Sequence, residues 1–92
     1  MASSKIANKK LVVVPYETAY TVDANGTANA DFQPSRSGYK PIGAVGFSTN
    51  HGSVLLQQVR LFDTGTLRMT VRNVSNGSIS NTAEVRVLFE PE

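Results

Sequence analysis

Apolar and polar residues alternate almost without error through the last third of the chain. Leu67, Met69 and Val71 share one parity, and Arg68, Thr70 and Arg72 take the other. Ala83, Val85, Val87 and Phe89 follow, set against Glu84, Arg86 and Glu90. A period of two marks a strand with one face buried. The pattern predicts strands over residues 67–71 and 83–89, joined through a longer polar loop over residues 73–82 that only Val74 and Ile79 interrupt. Arranged as a C-terminal hairpin, they set Arg68 and Arg72 across from Glu84 and Glu90. Such pairs fix register more than they stabilise, at about 0.2–1 kcal/mol each.

Upstream the alternation is more broken. Val12, Val14, Tyr16, Thr18, Tyr20 and Val22 share a parity, with Glu17, Thr21 and Asp23 on the other. Pro15 interrupts this run and removes a ladder donor, which points to an edge strand, a bend or a bulge. Residues 23–26, Asp-Ala-Asn-Gly, form a turn, since Asn-Gly supplies positive φ. Residues 27–32 are then expected to pair back as a short strand. Residues 33–41 form a loop rich in turn formers. Residues 42–47 are apolar but punctuated by Gly43 and Gly46, where the backbone can bend or approach a neighbour. After a turn at residues 49–52, residues 54–62 form a further strand. Val54, Leu55 and Leu56 break strict alternation there, as two-sided burial or a bulge would require. Residues 63–66 close a hairpin into the strand at Leu67.

These runs make about six or seven strands, with no stretch of helical periodicity. The connections are too short for parallel crossovers, so the strands are antiparallel. The expected fold is all-β: a small antiparallel β-sandwich, jelly-roll-like, formed as one domain over residues 10–92. Residues 1–9, small, polar and basic, read as a flexible N-terminal leader.

Length sharpens this picture. A chain of 92 residues buries only about 60–65% of the surface its unfolded form exposes, so its core is thin. With no cysteine, disulfides cannot compensate, and oligomerisation is the remaining means of reinforcement. Charge is close to balanced, with 9 Lys and Arg against 7 Asp and Glu. Three of the nine cations, Lys5, Lys9 and Lys10, lie in the N-terminal segment. No concentrated basic surface with stacking aromatics is visible, so nucleic acid is not an expected partner. No apolar run approaches the roughly 20 residues of a membrane span. The short apolar stretch from Leu11 to Val14 is no signal-peptide core, so synthesis in a cytoplasm without classical export is expected.

Candidate chemistry is sparse. His51, the single histidine, has no nucleophile and orienting carboxylate patterned around it, and reads as a turn or surface residue. The Asp23 turn fails as a calcium loop, because Thr27, Ala28 and Pro34 stand where an oxygen ligand, a glycine and a glutamate are needed. Three glycosylation triplets, beginning at Asn25, Asn73 and Asn76, are explained by the abundance of Asn, Ser and Thr. The acidic residues single out no glycosidase pair. No catalytic residue, metal site or cofactor is therefore expected. The aromatics should mostly be core. Tyr39 differs: between Gly38 and Lys40 in a turn-rich segment, it can pack on Ile42 or Phe47, stack on a sugar ring or anchor a subunit contact. The candidate surface-recognition residues are Tyr39, Lys40, Asn50 and His51, in the loops flanking this segment.

Residues 37–47, Ser-Gly-Tyr-Lys-Pro-Ile-Gly-Ala-Val-Gly-Phe, carry a resemblance. The stretch resembles a C-terminal β-module of tail, baseplate and fibre-like structural proteins of phages and prophages of Gram-positive bacteria. The likeness extends over residues 11–89, through strands such as residues 54–62, 65–73 and 83–89. It implies a non-enzymatic virion structural module, of fibre-head or decoration type. It also implies a homo-oligomer, foremost a trimer, with other virion proteins and a cell-surface glycan as further partners. The place of action would be a virion assembled in the host cytoplasm. The alternative is a carbohydrate-binding or adhesin-like accessory domain of a bacterial surface protein.

Overall fold

The computed structural model describes residues 10–92; the leader expected over residues 1–9 lies outside the described residues. Six strands follow in order: β1 (Val12–Val22), β2 (Thr27–Phe32), β3 (Tyr39–Ser48), β4 (Val54–Leu61), β5 (Leu67–Asn73) and β6 (Ile79–Pro91). No helix occurs among the described residues. The strands form two three-stranded sheets, ordered β1-β6-β3 and β2-β5-β4, and every pairing is antiparallel. The two sheets pack face to face as a small β-sandwich. β1 lies beside β6 and β2 beside β5, while β3 and β4, consecutive in the chain, lie in opposite sheets.

The two most regular sequence runs occupy the middle of the two sheets. β5 and β6 are the central strands, so their apolar parity is covered from both sides. Leu67, Met69, Val71, Ala83, Val85, Val87 and Phe89 are all buried, joined by Tyr20, Val22, Ala30 and Val54. β1 runs alongside β6 in unbroken register from Val12 opposite Phe89 to Val22 opposite Ile79. Pro15 falls in this ladder without a bulge, which its place on an edge strand permits.

Four local expectations change, one of them at β3, which opens at Tyr39 inside the loop expected over residues 33–41. β5 and β6 do not form a hairpin; they lie in opposite sheets. Arg68 therefore forks onto Asp31 of β2, its register partner, with Nε and Nη2 each 2.9 Å from a carboxylate oxygen. Glu90 instead pairs with Lys40, at 3.2 Å. The period-two pattern identified the faces but carries no information on which strand lies opposite. For the same reason β2 does not pair back on β1. The turn at residues 23–26 is present, with the Gly26 amide donating to the Asp23 carbonyl at 2.9 Å, but it carries the chain across to the other sheet. Finally, β6 begins at Ile79 rather than Ala83. Its polar first residues are strand because the polar end of β1 offers a ladder: Thr21 lies opposite Ser80 and their hydroxyls bond at 2.8 Å.

The hairpin between β4 and β5 forms as expected. Its Gly65 has φ +88°, the left-handed region that favours glycine. β3 and β4 are the irregular strands. β3 slips register against β6 between Pro41 and Gly43 and again between Ala44 and Gly46. β4 slips against β5 between Leu56 and Gln58. Each slip is a bulge that skips one residue, and those on β3 skip Ile42 and Val45.

Candidate functional site

The bulges of β3 decide which of its side chains reach solvent. Pro41, Ala44 and Phe47 match the core-facing residues Phe89, Val87 and Val85 of β6, while Ile42 and Val45 have no partner. Ile42 and Val45 are exposed, and so is Phe47, 50% accessible at the margin of the sandwich. Leu55 of β4, 51% accessible, lies opposite Arg72 on the outer face of the other sheet. On the opposite margin β1 and β2 close against each other more fully than β3 and β4 do. A groove of about 520 Å³ runs between the latter two, lined by Ile42, Ala44 and Phe47 on one side and Leu56, Val59 and Leu61 on the other. Its polar lining is confined to Gln57 and Gln58, and no charged side chain lines it.

A second depression, of about 410 Å³, is lined by Pro15 and Glu17 of β1, Glu84 and Arg86 of β6, and Gly46 and Ser48 of β3. Glu17 is the direct register partner of Glu84, an unfavourable placement for like charges. Among the described residues, no ion pair or side-chain hydrogen bond engages Glu17, Glu84 or Arg86. Gly46 lies opposite Arg86 and leaves the floor low beside it.

The four residues singled out from sequence do not form one surface. Tyr39 opens β3 and Asn50 follows its end, so they stand roughly 30 Å apart along an extended strand. Tyr39 is half-buried against the core, and the Arg36 guanidinium lies 5.1 Å from its ring centre. Lys40 is exposed but engaged with Glu90. At the other end Asn50, with φ 59°, is committed to holding its own loop. Its Nδ2 donates to the Thr82 carbonyl at 2.7 Å, and Asn81 Nδ2 donates back to the Asn50 carbonyl at 3.1 Å. His51 is exposed, and its Nδ1 accepts the Ser53 amide at 3.1 Å, which leaves Nε2 to carry the proton of the neutral ring.

The aromatics are less buried than expected. Only Tyr20 and Phe89 are fully buried; Tyr16, Phe32, Tyr39 and Phe62 are half-buried, and Phe47 is exposed. The apolar edge of β3 was the feature sequence reasoning missed. Its signal was present in the closely spaced Gly43 and Gly46, which break the period, but a broken period does not say which side chains turn outward. Among the described residues no group of three or more His, Cys, Asp and Glu side chains is placed to hold a metal ion. Comparison with protein-family models, curated proteins and solved structures finds no match.

Proposed function

We propose that this chain is a non-enzymatic structural module of a phage or prophage virion, of fibre-head or decoration type. It works as a homo-oligomer, foremost a trimer, with its free surfaces toward the host cell. The observation that carries the reading is the uncovered apolar margin at β3 and β4. Ile42 and Phe47 lie exposed along an uncharged groove, and Val45, exposed too, lies between them on the same strand. A lone soluble domain normally covers or breaks up such a surface with charge, and an exposed apolar edge invites pairing with another chain. The segment that resembles the phage modules, residues 37–47, overlaps this same strand. A second copy would cover the groove and reinforce a core too thin to be generous with stability. Light scattering on the purified chain at micromolar concentration tests the assembly: a mass of three chains is expected, and the mass of one chain overturns it.

A second reading, the saccharide-binding accessory domain, is favoured by the depression at Glu17, Glu84 and Arg86. Sugar hydroxyls can donate to both carboxylates and accept from the guanidinium, relieving the opposed charges. A glycan array would show binding that Glu84→Gln and Arg86→Ala abolish and Tyr39→Ala leaves intact. Binding that responds only to Tyr39→Ala would remove this depression from consideration.

A further inference from the structure

Two Asn-Gly sequences meet at the end of the sandwich where the β1–β2 turn touches the β5–β6 loop. We propose that one of them, Asn76–Gly77, is a spontaneous modification site in the folded protein. The other, Asn25–Gly26, is held back by its turn. The chemistry needs only water. The Gly77 backbone nitrogen gives up its proton to solvent base and attacks Cγ of Asn76. A C–N bond forms, the Cγ–Nδ2 bond breaks, and the amide nitrogen leaves as ammonia after taking up a proton. Water then opens the cyclic imide at either carbonyl, leaving aspartate or isoaspartate at position 76.

The difference between the two sites lies in what holds the attacking nitrogen. The Gly26 amide donates to the Asp23 carbonyl at 2.9 Å, closing the turn. Around Gly26 the space is also tight, since a Cβ there would stand 3.2 Å from the Asp23 oxygen. The flanking backbone is fixed too: the Asn25 amide donates to the Ser75 carbonyl at 3.1 Å, and the Gly26 carbonyl accepts from the Asn73 amide at 2.9 Å. Bringing the Gly26 nitrogen onto its own asparagine means breaking that turn.

The Gly77 nitrogen is held less firmly, although the Gly77 carbonyl accepts from Asn73 Nδ2 at 2.7 Å and from Ser75 Oγ at 3.0 Å. The Gly77 amide has only a long 3.4 Å contact to Ser75 Oγ, and the space a Cβ would fill is empty. Asn76 and Gly77 are both exposed. The Asn76 carboxamide is engaged by the Asn25 Nδ2 at 3.5 Å, the outer limit of a hydrogen bond. The site also falls within a structural clasp, because the Gly77 carbonyl accepts the buried Asn73 amide group at 2.7 Å. Modification therefore places a new charge, and in isoaspartate an extra backbone carbon, in the loop that the clasp holds.

Incubation of the purified full chain at mildly alkaline pH, followed by peptide mapping, reads both sites at once. Conversion at position 76 should outpace that at position 25 by about fivefold or more, the factor in rate that one backbone hydrogen bond to be broken imposes. In concentrated urea the two sites should convert at similar rates, and Gly77→Ala should slow conversion at position 76 alone. Equal rates in the folded chain, or a difference that persists in urea, would overturn the proposal.

Discussion

Asn73 shows what a single residue decides in this fold. Its side chain is fully buried, which an amide tolerates only when its donors and acceptor are used. They are: Nδ2 donates to the Val22 carbonyl at 3.1 Å and the Gly77 carbonyl at 2.7 Å, and Oδ1 accepts from the Ser75 amide and hydroxyl. One carboxamide thus ties the end of β1 in one sheet to the loop leaving β5 in the other. Asn73→Ala takes from the Val22 carbonyl its side-chain donor and from the Ser75 amide its acceptor, while the Gly77 carbonyl keeps the Ser75 hydroxyl at 3.0 Å. The expected loss is about 2–3 kcal/mol in denaturant unfolding, a large part of a small domain's stability. Sequence could not reveal this, because Asn73 closes an alternating run at a position that reads equally well as the first residue of a polar loop. Tyr20 is a second such case. Its hydroxyl donates to the Thr49 carbonyl at 2.7 Å, and burial raises its pKa above the ordinary tyrosine value. A phenol whose folded pKa is raised adds stability that is fully present below its unfolded pKa, about 10, and is lost as pH rises from there through the folded value. Tyr20→Phe should cost about 1 kcal/mol at neutral pH and flatten the decline above pH 10. An unchanged alkaline decline in thermal melts would show that another group causes it.

Strand faces were legible in the sequence, while strand partners were not. The parity of β5 and β6 was readable because both lie between two neighbours, where every second residue must be apolar. Their separation into opposite sheets left no mark on that parity, so the expected ion pairs of Arg68 and Arg72 with Glu84 and Glu90 joined the outer faces of strands that touch only through the core. The bond Arg68 does make is with Asp31, its register partner on β2. The Arg68 guanidinium, by hydrogen bonding, holds the Asp31 carboxyl below the usual carboxylate range. A lowered folded pKa adds stability above the unfolded value, about 3.9, and that stability disappears as pH falls through the folded value. Asp31→Asn should thus destabilise the protein at neutral pH and have no effect once the pH is below the folded value. The effect should be smaller than that of Asn73→Ala, because the pair is exposed and screened by solvent. Urea midpoints measured across the acid range in low and high salt check this, since added salt should shrink the difference. β3 was the least readable element: two bulges within ten residues reset its parity twice.

At the scale of the whole molecule the sandwich is asymmetric, closed where β1 meets β2 and open where β3 faces β4. Val45 is the residue on which the meaning of that opening can be tested. It is 54% accessible and skipped by the β3–β6 register, so a lone chain has little reason to resist a polar group there. Surface substitutions of this kind usually change stability by no more than about 0.5 kcal/mol. If the margin is covered by a second copy, Val45→Lys buries an unpaired ammonium in an uncharged interface, which costs several kcal/mol and drives the assembly apart. The two situations give opposite readings in one experiment. In an oligomer, Val45→Lys should lower the mass seen by light scattering to that of one chain, while circular dichroism still reports the same β-structure. Glu84→Lys, on the face of the other depression, controls for added charge and should leave the mass unchanged. A Val45→Lys protein that keeps both its mass and its stability would place any subunit contact elsewhere on the sandwich, and would leave the apolar margin of β3 unexplained by assembly.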